Sequence, residues 1–190
     1  EAAPLLAYEC SKLFVPKSCG KCVDSVEVRI DSDDPYSKVG EIQAKGYSLM
    51  SGYYKNEEAT KAAFTEDGWM RTGDLGLIDK KGNIFIKGRS KNMILSANGQ
   101  NIYPEEIEAA VNNQPYVIES VVVDRGARLV ALIYMDSEKA KAEGVDLEEY
   151  KKTIMAEVNK SMPAYSKVNV VEYMAEPFEK TPKMSIKRFM

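Results

Sequence analysis

Asp74 in RTGDLG (71–76) and Arg89 in GNIFIKGRSKNMI (82–94) are the residues whose types and spacing could do chemistry. A carboxylate held in a turn can accept hydrogen bonds from both hydroxyls of a vicinal diol, so an acidic residue there suits a ribose. A guanidinium is a rigid, always charged fork of donors, and it serves hydroxyl or phosphate oxygens better than an ammonium does. Gly73, Gly76 and Gly88 flank the two residues. They predict tight turns between strand-like runs, where a ligand could come close to the backbone. Taken singly, each residue also has an ordinary reading, with Asp74 capping a turn and Arg89 pairing with a surface carboxylate.

The elements that must position them are legible as patterns. Residues 23–30, 40–45 and 83–87 alternate or cluster apolar residues and predict short strands, with Gly and Asp turns between them. Residues 56–64 predict a short helix with Asn56 as its N-cap. Near Lys91 the pattern changes. Pro104 sits like a first helical residue, Glu105 and Glu106 like a first turn, and Ile107, Ala110 and Val111 like one apolar face, which predicts a helix over 104–112. Residues 117–123 and 128–135 predict antiparallel strands around a turn at Arg125-Gly126. Leu147, Tyr150, Ile154 and Val158 recur at helical spacing, and 167–173 closes as a strand. The fold class expected is α+β, a small β-rich unit followed by helices layered on a small sheet.

Composition narrows the function classes. With 26 basic and 29 acidic residues the formal charge is −3, and the pI is about 5.3, so the basic footprint of a nucleic-acid partner is missing. No apolar run is long enough to span a bilayer, which still leaves room for peripheral membrane contact. The opening EAAPLLAYECSKLF has neither the basic start nor the length of a signal peptide, and the expectation is a cytoplasmic protein. Cys19 and Cys22 form a CxxC, but three Cys and no His leave a structural zinc site one ligand short. DSDDP at 31–35 lacks the Gly and Glu of a calcium loop and reads as a polar turn.

Taken together, the strings carry a resemblance. GEIQAKGYSLMSGYY (40–54), GWMRTGDLG (68–76), GRSKNMI (88–94) and GQNIYPEEIE (99–108) resemble, in order and separation, the motifs of the adenylate-forming acyl-CoA synthetase superfamily. NIYPEEIE and TPKMSIKR (181–188) look most like its long-chain fatty acid CoA ligases. The resemblance implies that residues 1–90 are the β-rich tail of a large AMP-binding domain and 91–190 a small mobile domain, joined at a hinge at Lys91. It implies ATP, Mg²⁺ and CoA, and a two-step reaction from acid to acyl-adenylate to thioester. Asp74 would hold the ribose hydroxyls, and Arg89 the ribose and phosphate side. Glu1 resembles the end of a Thr-Glu motif that contacts Mg²⁺.

Two departures from the family pattern stand out. The phosphate-binding loop and the acyl pocket lie upstream of everything here. The family's catalytic lysine falls at Ser185, so the resemblance leaves Lys187 or Lys183 to supply the cation, with Lys187 preferred because Arg188 keeps the motif in register; otherwise adenylation is weak. Alternative readings are another acid-activating member (an aryl or bile acid CoA ligase, an acyl carrier protein ligase or an amino acid adenylating domain), or a non-catalytic binding module that keeps this fold. With no triphosphate loop, the 190-residue chain is expected to make no acyl-CoA and to bind ATP only in the millimolar range, about 4 kcal/mol of binding energy. Calorimetry with ATP, beside a thiol-consumption assay with palmitate and CoA, checks this.

Overall fold

The computed structural model describes residues 5–182 and 184–188. It divides into two compact units, Glu1–Lys91 and Asn92–Met190. Both combine small sheets with few helices, the α+β class expected.

The first unit opens with β1 (Ala7–Tyr8) and β2 (Lys21–Cys22), a short antiparallel pair. An antiparallel meander follows, built from β3 (Val26–Asp31), β4 (Gly40–Gly46), β5 (Met70–Ile78) and β6 (Ile84–Arg89) in that spatial order, with α1 (Glu57–Ala63) between β4 and β5. Side chains alternate across a strand, so Ile30 of β3, Ile42 of β4 and Ile84 of β6 meet on one face as the core. The other face buries Gln43, whose amide is satisfied by Arg29 Nε at 2.7 Å and by Asp31 Oδ2 at 3.2 Å. Asn56 caps α1 as expected, its Oδ1 accepting from the Ala59 amide at 2.9 Å. At 31–38 the polar turn is closed by Asp34, which accepts from the Tyr36 amide at 3.1 Å and the Ser37 hydroxyl at 2.5 Å.

One expectation is corrected. RTGDLG is not a turn, and Asp74 and Arg89 do not sit in Gly-flanked loops. A nine-residue strand, β5, runs through both glycines. Gly73 takes a left-handed φ of 73° inside the strand, and the register against β6 slips between Leu75 and Gly76. Irregularities of this kind bend a strand without ending it. Gly76 answers to packing rather than to a ligand, since a Cβ there would lie 2.5 Å from the Phe85 carbonyl oxygen and 2.8 Å from Ile42 Cδ1.

The second unit starts with a two-strand pair, β7 (Ile94–Leu95) and β8 (Asn101–Ile102), then α2 (Pro104–Asn112). The hairpin of β9 (Val117–Asp124) and β10 (Leu129–Met135) turns on Gly126 and Ala127, whose φ values of 64° and 62° give the twist that a two-residue loop needs. α3 (Ser137–Ala142) and α4 (Leu147–Lys160) carry the chain over to β11 (Val170–Tyr173), which pairs parallel to β10. The central β10 is buried on both faces. Leu129, Ala131 and Ile133 pack against Ile107 and Val111 of α2 and Ile154 and Val158 of α4, while Val130 and Leu132 face Phe178 and Ile186. The expected helix at 104–112, the hairpin and the long helix are all present. α3 and the β7–β8 pair are additions, and the last strand is shorter than 167–173 because Lys167–Asn169 only leads into it.

Gly76→Ala is expected to destabilise the first unit by about 1–3 kcal/mol through overpacking between β4, β5 and β6. Trp69 is the chain's single tryptophan, so a fluorescence melt reports on that unit directly.

Candidate functional site

The register of the meander places Asp74 directly opposite Arg89 on neighbouring strands. Their side chains form an ion pair, Arg89 Nε to Asp74 Oδ1 at 2.9 Å, with the arginine side chain 59% exposed and the aspartate 28%. The two candidate ligands are therefore brought together and half-shielded. Local bonds explain why the strand holds this shape. Thr72 Oγ1 donates to the Ile42 carbonyl at 2.7 Å and accepts from the Asp74 amide at 3.1 Å, so it pins the residue beside the left-handed Gly73. Glu41 accepts from the Gly73 amide at 3.3 Å and pairs with Arg71 at 2.9 Å. The Gly73 carbonyl in turn accepts from the Ser90 amide at 2.9 Å, which fixes the chain just before Lys91. Arg89 also reaches the Thr72 carbonyl from NH1 at 3.4 Å. A carboxylate can serve several donors at once, and a guanidinium beside it adds positive charge for an anionic oxygen, so this pair can recognise a hydroxyl-bearing anion.

In the second unit the strings NIYPEEIE and TPKMSIKR meet. Residues 179–182 and 184–187 pair as the two arms of a narrow hairpin, with Lys180 bridged to Ile186, the Lys187 amide donating to the Glu179 carbonyl at 2.8 Å, and the Thr181 amide donating to the Ser185 carbonyl at 2.8 Å. Ile186 turns inward onto the sheet and Ser185 and Lys187 lie exposed on either side of it. The Lys187 ammonium pairs with Glu179 at 3.1 Å across a solvated surface, a contact worth little. Of the expected site residues, Glu1 and Lys183 lie outside the described residues. Among the described residues no three metal-ligating side chains gather. The cysteines are free thiols, and burial pushes the Cys22 thiol up.

Sequence reasoning missed Glu108 and its partner. Arg188 grips Glu108 with both arms, at 2.6 and 2.5 Å, while Glu108 Oε1 also accepts from the Val122 amide at 2.7 Å. The glutamate side chain is only 10% exposed and the arginine 17%. Burial pushes the Glu108 carboxyl up, against the opposing pull of Arg188 and the Val122 amide. Burial works to lower Arg188, but Glu108 holds it above the usual arginine value. A signal was there to read, since Glu108 falls on the apolar stripe of α2 beside Pro104, Ile107 and Val111. A charge at a core position almost always has a partner.

Comparison with known proteins gives this geometry a context. Residues 91–190 match the family described as AMP-binding enzyme C-terminal domain. The sulfoacetate–CoA ligase of Cupriavidus necator is 44% identical over 106 residues, covering 53% of this chain and 21% of that protein. A long-chain-fatty-acid–CoA ligase of Mycobacterium tuberculosis, FadD15, is 41% identical over 120 residues, 63% of this chain and 19% of that protein. Among solved structures, O-succinylbenzoate coenzyme A synthetase (MenE) from Bacillus subtilis, in complex with ATP and magnesium ion, superposes with a TM-score of 0.74 at 27% identity, over 90% of this chain and 34% of that one. The chain thus spans about a fifth of the length of the curated relatives it matches. With its residues 91–190 matched, more than half of its length, the chain belongs to the AMP-binding enzyme C-terminal domain family.

Proposed function

We propose that this chain is the C-terminal portion of an ATP-dependent, AMP-forming acid–CoA ligase, with a long-chain fatty acid as the acid. The observation that carries the reading is the Asp74–Arg89 pair, formed across neighbouring strands at 2.9 Å and standing immediately before the segment that matches the family. The relatives' names span sulfoacetate, succinylbenzoate and long-chain fatty acids. The motifs NIYPEEIE and TPKMSIKR favour the fatty acid, whereas the acid-binding pocket itself would lie upstream.

In this reading the carboxylate of the acid attacks the α-phosphorus of ATP, the bond to the bridging oxygen breaks, and pyrophosphate leaves. The CoA thiol then adds to the acyl carbon, and AMP departs with the electron pair of the broken C–O bond. Asp74 accepts the ribose hydroxyls and fixes the nucleotide, while Arg89 holds Asp74 in place and offers charge to the phosphate side. Positioning and charge supply most of the rate in such a transfer. Mg²⁺ would screen charge on the phosphates, and Glu1, which resembles the end of a Thr-Glu motif, would contact it. Lys187 stands in for the lysine absent at Ser185. It lies two residues along an extended segment, exposed like Ser185, and its ammonium pairs with Glu179 across a solvated surface. Lys91 is the hinge about which the small domain turns between the two steps.

In the full-length enzyme, Asp74→Ala should weaken ATP binding roughly tenfold or more, because losing a charged hydrogen-bond partner costs about 1.5–3 kcal/mol. An unchanged ATP dependence would remove Asp74 from the site.

Lys187→Ala should slow adenylate formation by about 10²-fold, and by more than Lys183→Ala does. Lys91→Pro should slow thioester formation more than adenylation, since proline fixes φ where rotation is needed. Rapid-quench measurement of both half-reactions checks these outcomes.

A further inference from the structure

We infer that Arg188 and Glu108 form a positioning pair that fastens the hairpin arms 179–182 and 184–187 to the end of the small domain beginning at Asn92, so that Ser185 and Lys187 travel with any rotation about Lys91. The inference rests on the proposed roles of Lys187 and Lys91. Its physical basis is a continuous chain of polar contacts within the second unit. The Arg188 guanidinium binds both Glu108 oxygens, and Glu108 Oε1 also takes the Val122 amide of β9 at 2.7 Å. From the same guanidinium, NH2 reaches Glu105 Oε1, one turn earlier on α2, at 3.4 Å. That oxygen accepts from Asn92 Nδ2 at 2.6 Å, and Asn92 is the residue after Lys91.

The pair joins residues 80 positions apart in sequence. A two-armed contact fixes orientation as well as distance, which a point charge cannot do. The other Glu105 oxygen, Oε2, is buried without a hydrogen-bond partner, a cost that the nearby guanidinium offsets electrostatically. Elsewhere the hairpin is held by Lys180 on Glu119, by the Phe178 amide on Glu119 at 3.3 Å, and by Ile186 on the sheet. Those contacts hold the segment as far as Ile186, and Arg188 fixes the chain just beyond it. Lys187, the residue before, points the other way and gains its placement from this anchor.

The test uses Arg188→Gln. In the 190-residue chain, amide hydrogen exchange at Thr181, Met184 and Lys187, each hydrogen-bonded at 2.8 Å inside the hairpin, is expected to speed up by about tenfold or more, while the β9–β10 ladder changes by less than about threefold. In the full-length enzyme the same substitution should lower kcat for adenylate formation by about tenfold or more, with the ATP KM and the rate of thioester formation from preformed acyl-adenylate within about twofold of the parent. Unchanged exchange in the hairpin, exchange rising equally across β9–β10, or both half-reactions falling together would overturn the inference. If the parent enzyme forms no adenylate, the functional reading fails, and the exchange measurement still decides whether the pair holds the hairpin. Should Arg188→Gln not fold, Glu108→Gln keeps an acceptor for the Val122 amide while removing the charge pair, and the same readouts apply.

Discussion

Burying a carboxylate is among the costlier things a small domain can do, and the second unit is organised around one. Glu108 lies on the apolar face of α2, among Ile107 and Val111, with its side chain 10% exposed. Such a charge is tolerated only when its lone pairs are occupied and an opposite charge is in contact. Both conditions are met by residues distant in sequence: the Val122 amide from the middle of β9, and Arg188 from the end of the described chain. The helix, the sheet and the final hairpin are therefore not independently placed. A shift of any one would strand a charge. Replacing such a pair with hydrophobic residues can be neutral for stability, whereas removing one partner alone leaves an uncompensated buried charge.

The first unit meets a different constraint. Its meander must deliver one acidic and one basic side chain to the same spot from strands separated by a turn. Adjacent strands do this whenever the register is right, but here β5 carries two glycines and a slip against each neighbour. Thr72 and Glu41 absorb these irregularities by hydrogen-bonding the backbone around Gly73, and the result is a pair made across the ladder. Twisting a strand at a bulge re-aims its side chains, so a regular sheet can bring the pair together without a long loop.

The two units also differ in how closely the chain is tied. α1 contributes no buried residue and is held by its cap and by Thr60, whereas α2 and α4 each insert residues into the closed core. β10, covered on both faces, makes the second unit a layered structure with helices on one side and the Phe178–Ile186 segment on the other. That segment is short of regular secondary structure, so its position depends on side-chain contacts. This is why its charged anchors matter more than they would on a helix.

Local signals in the sequence determined much of this. Asn56 and Pro104 mark helix starts because a cap and a ring with no N–H satisfy orphan backbone groups at a helix end. The β-branched runs at 117–123 and 128–135 determined the hairpin, and the spacing of Leu147 to Val158 determined α4. Each rests on neighbours within a few residues, which is the range over which a one-dimensional pattern carries physical information. Asp74 and Arg89 were recognisable by type, but their placement was not. Glycines usually announce turns, and only pairing with β4 and β6 turns Gly73 and Gly76 into irregularities within a strand. Glu108 and Arg188, 80 positions apart, had no local signal linking them. Which buried charge meets which is settled by the low dielectric of a core that exists only once the chain has folded.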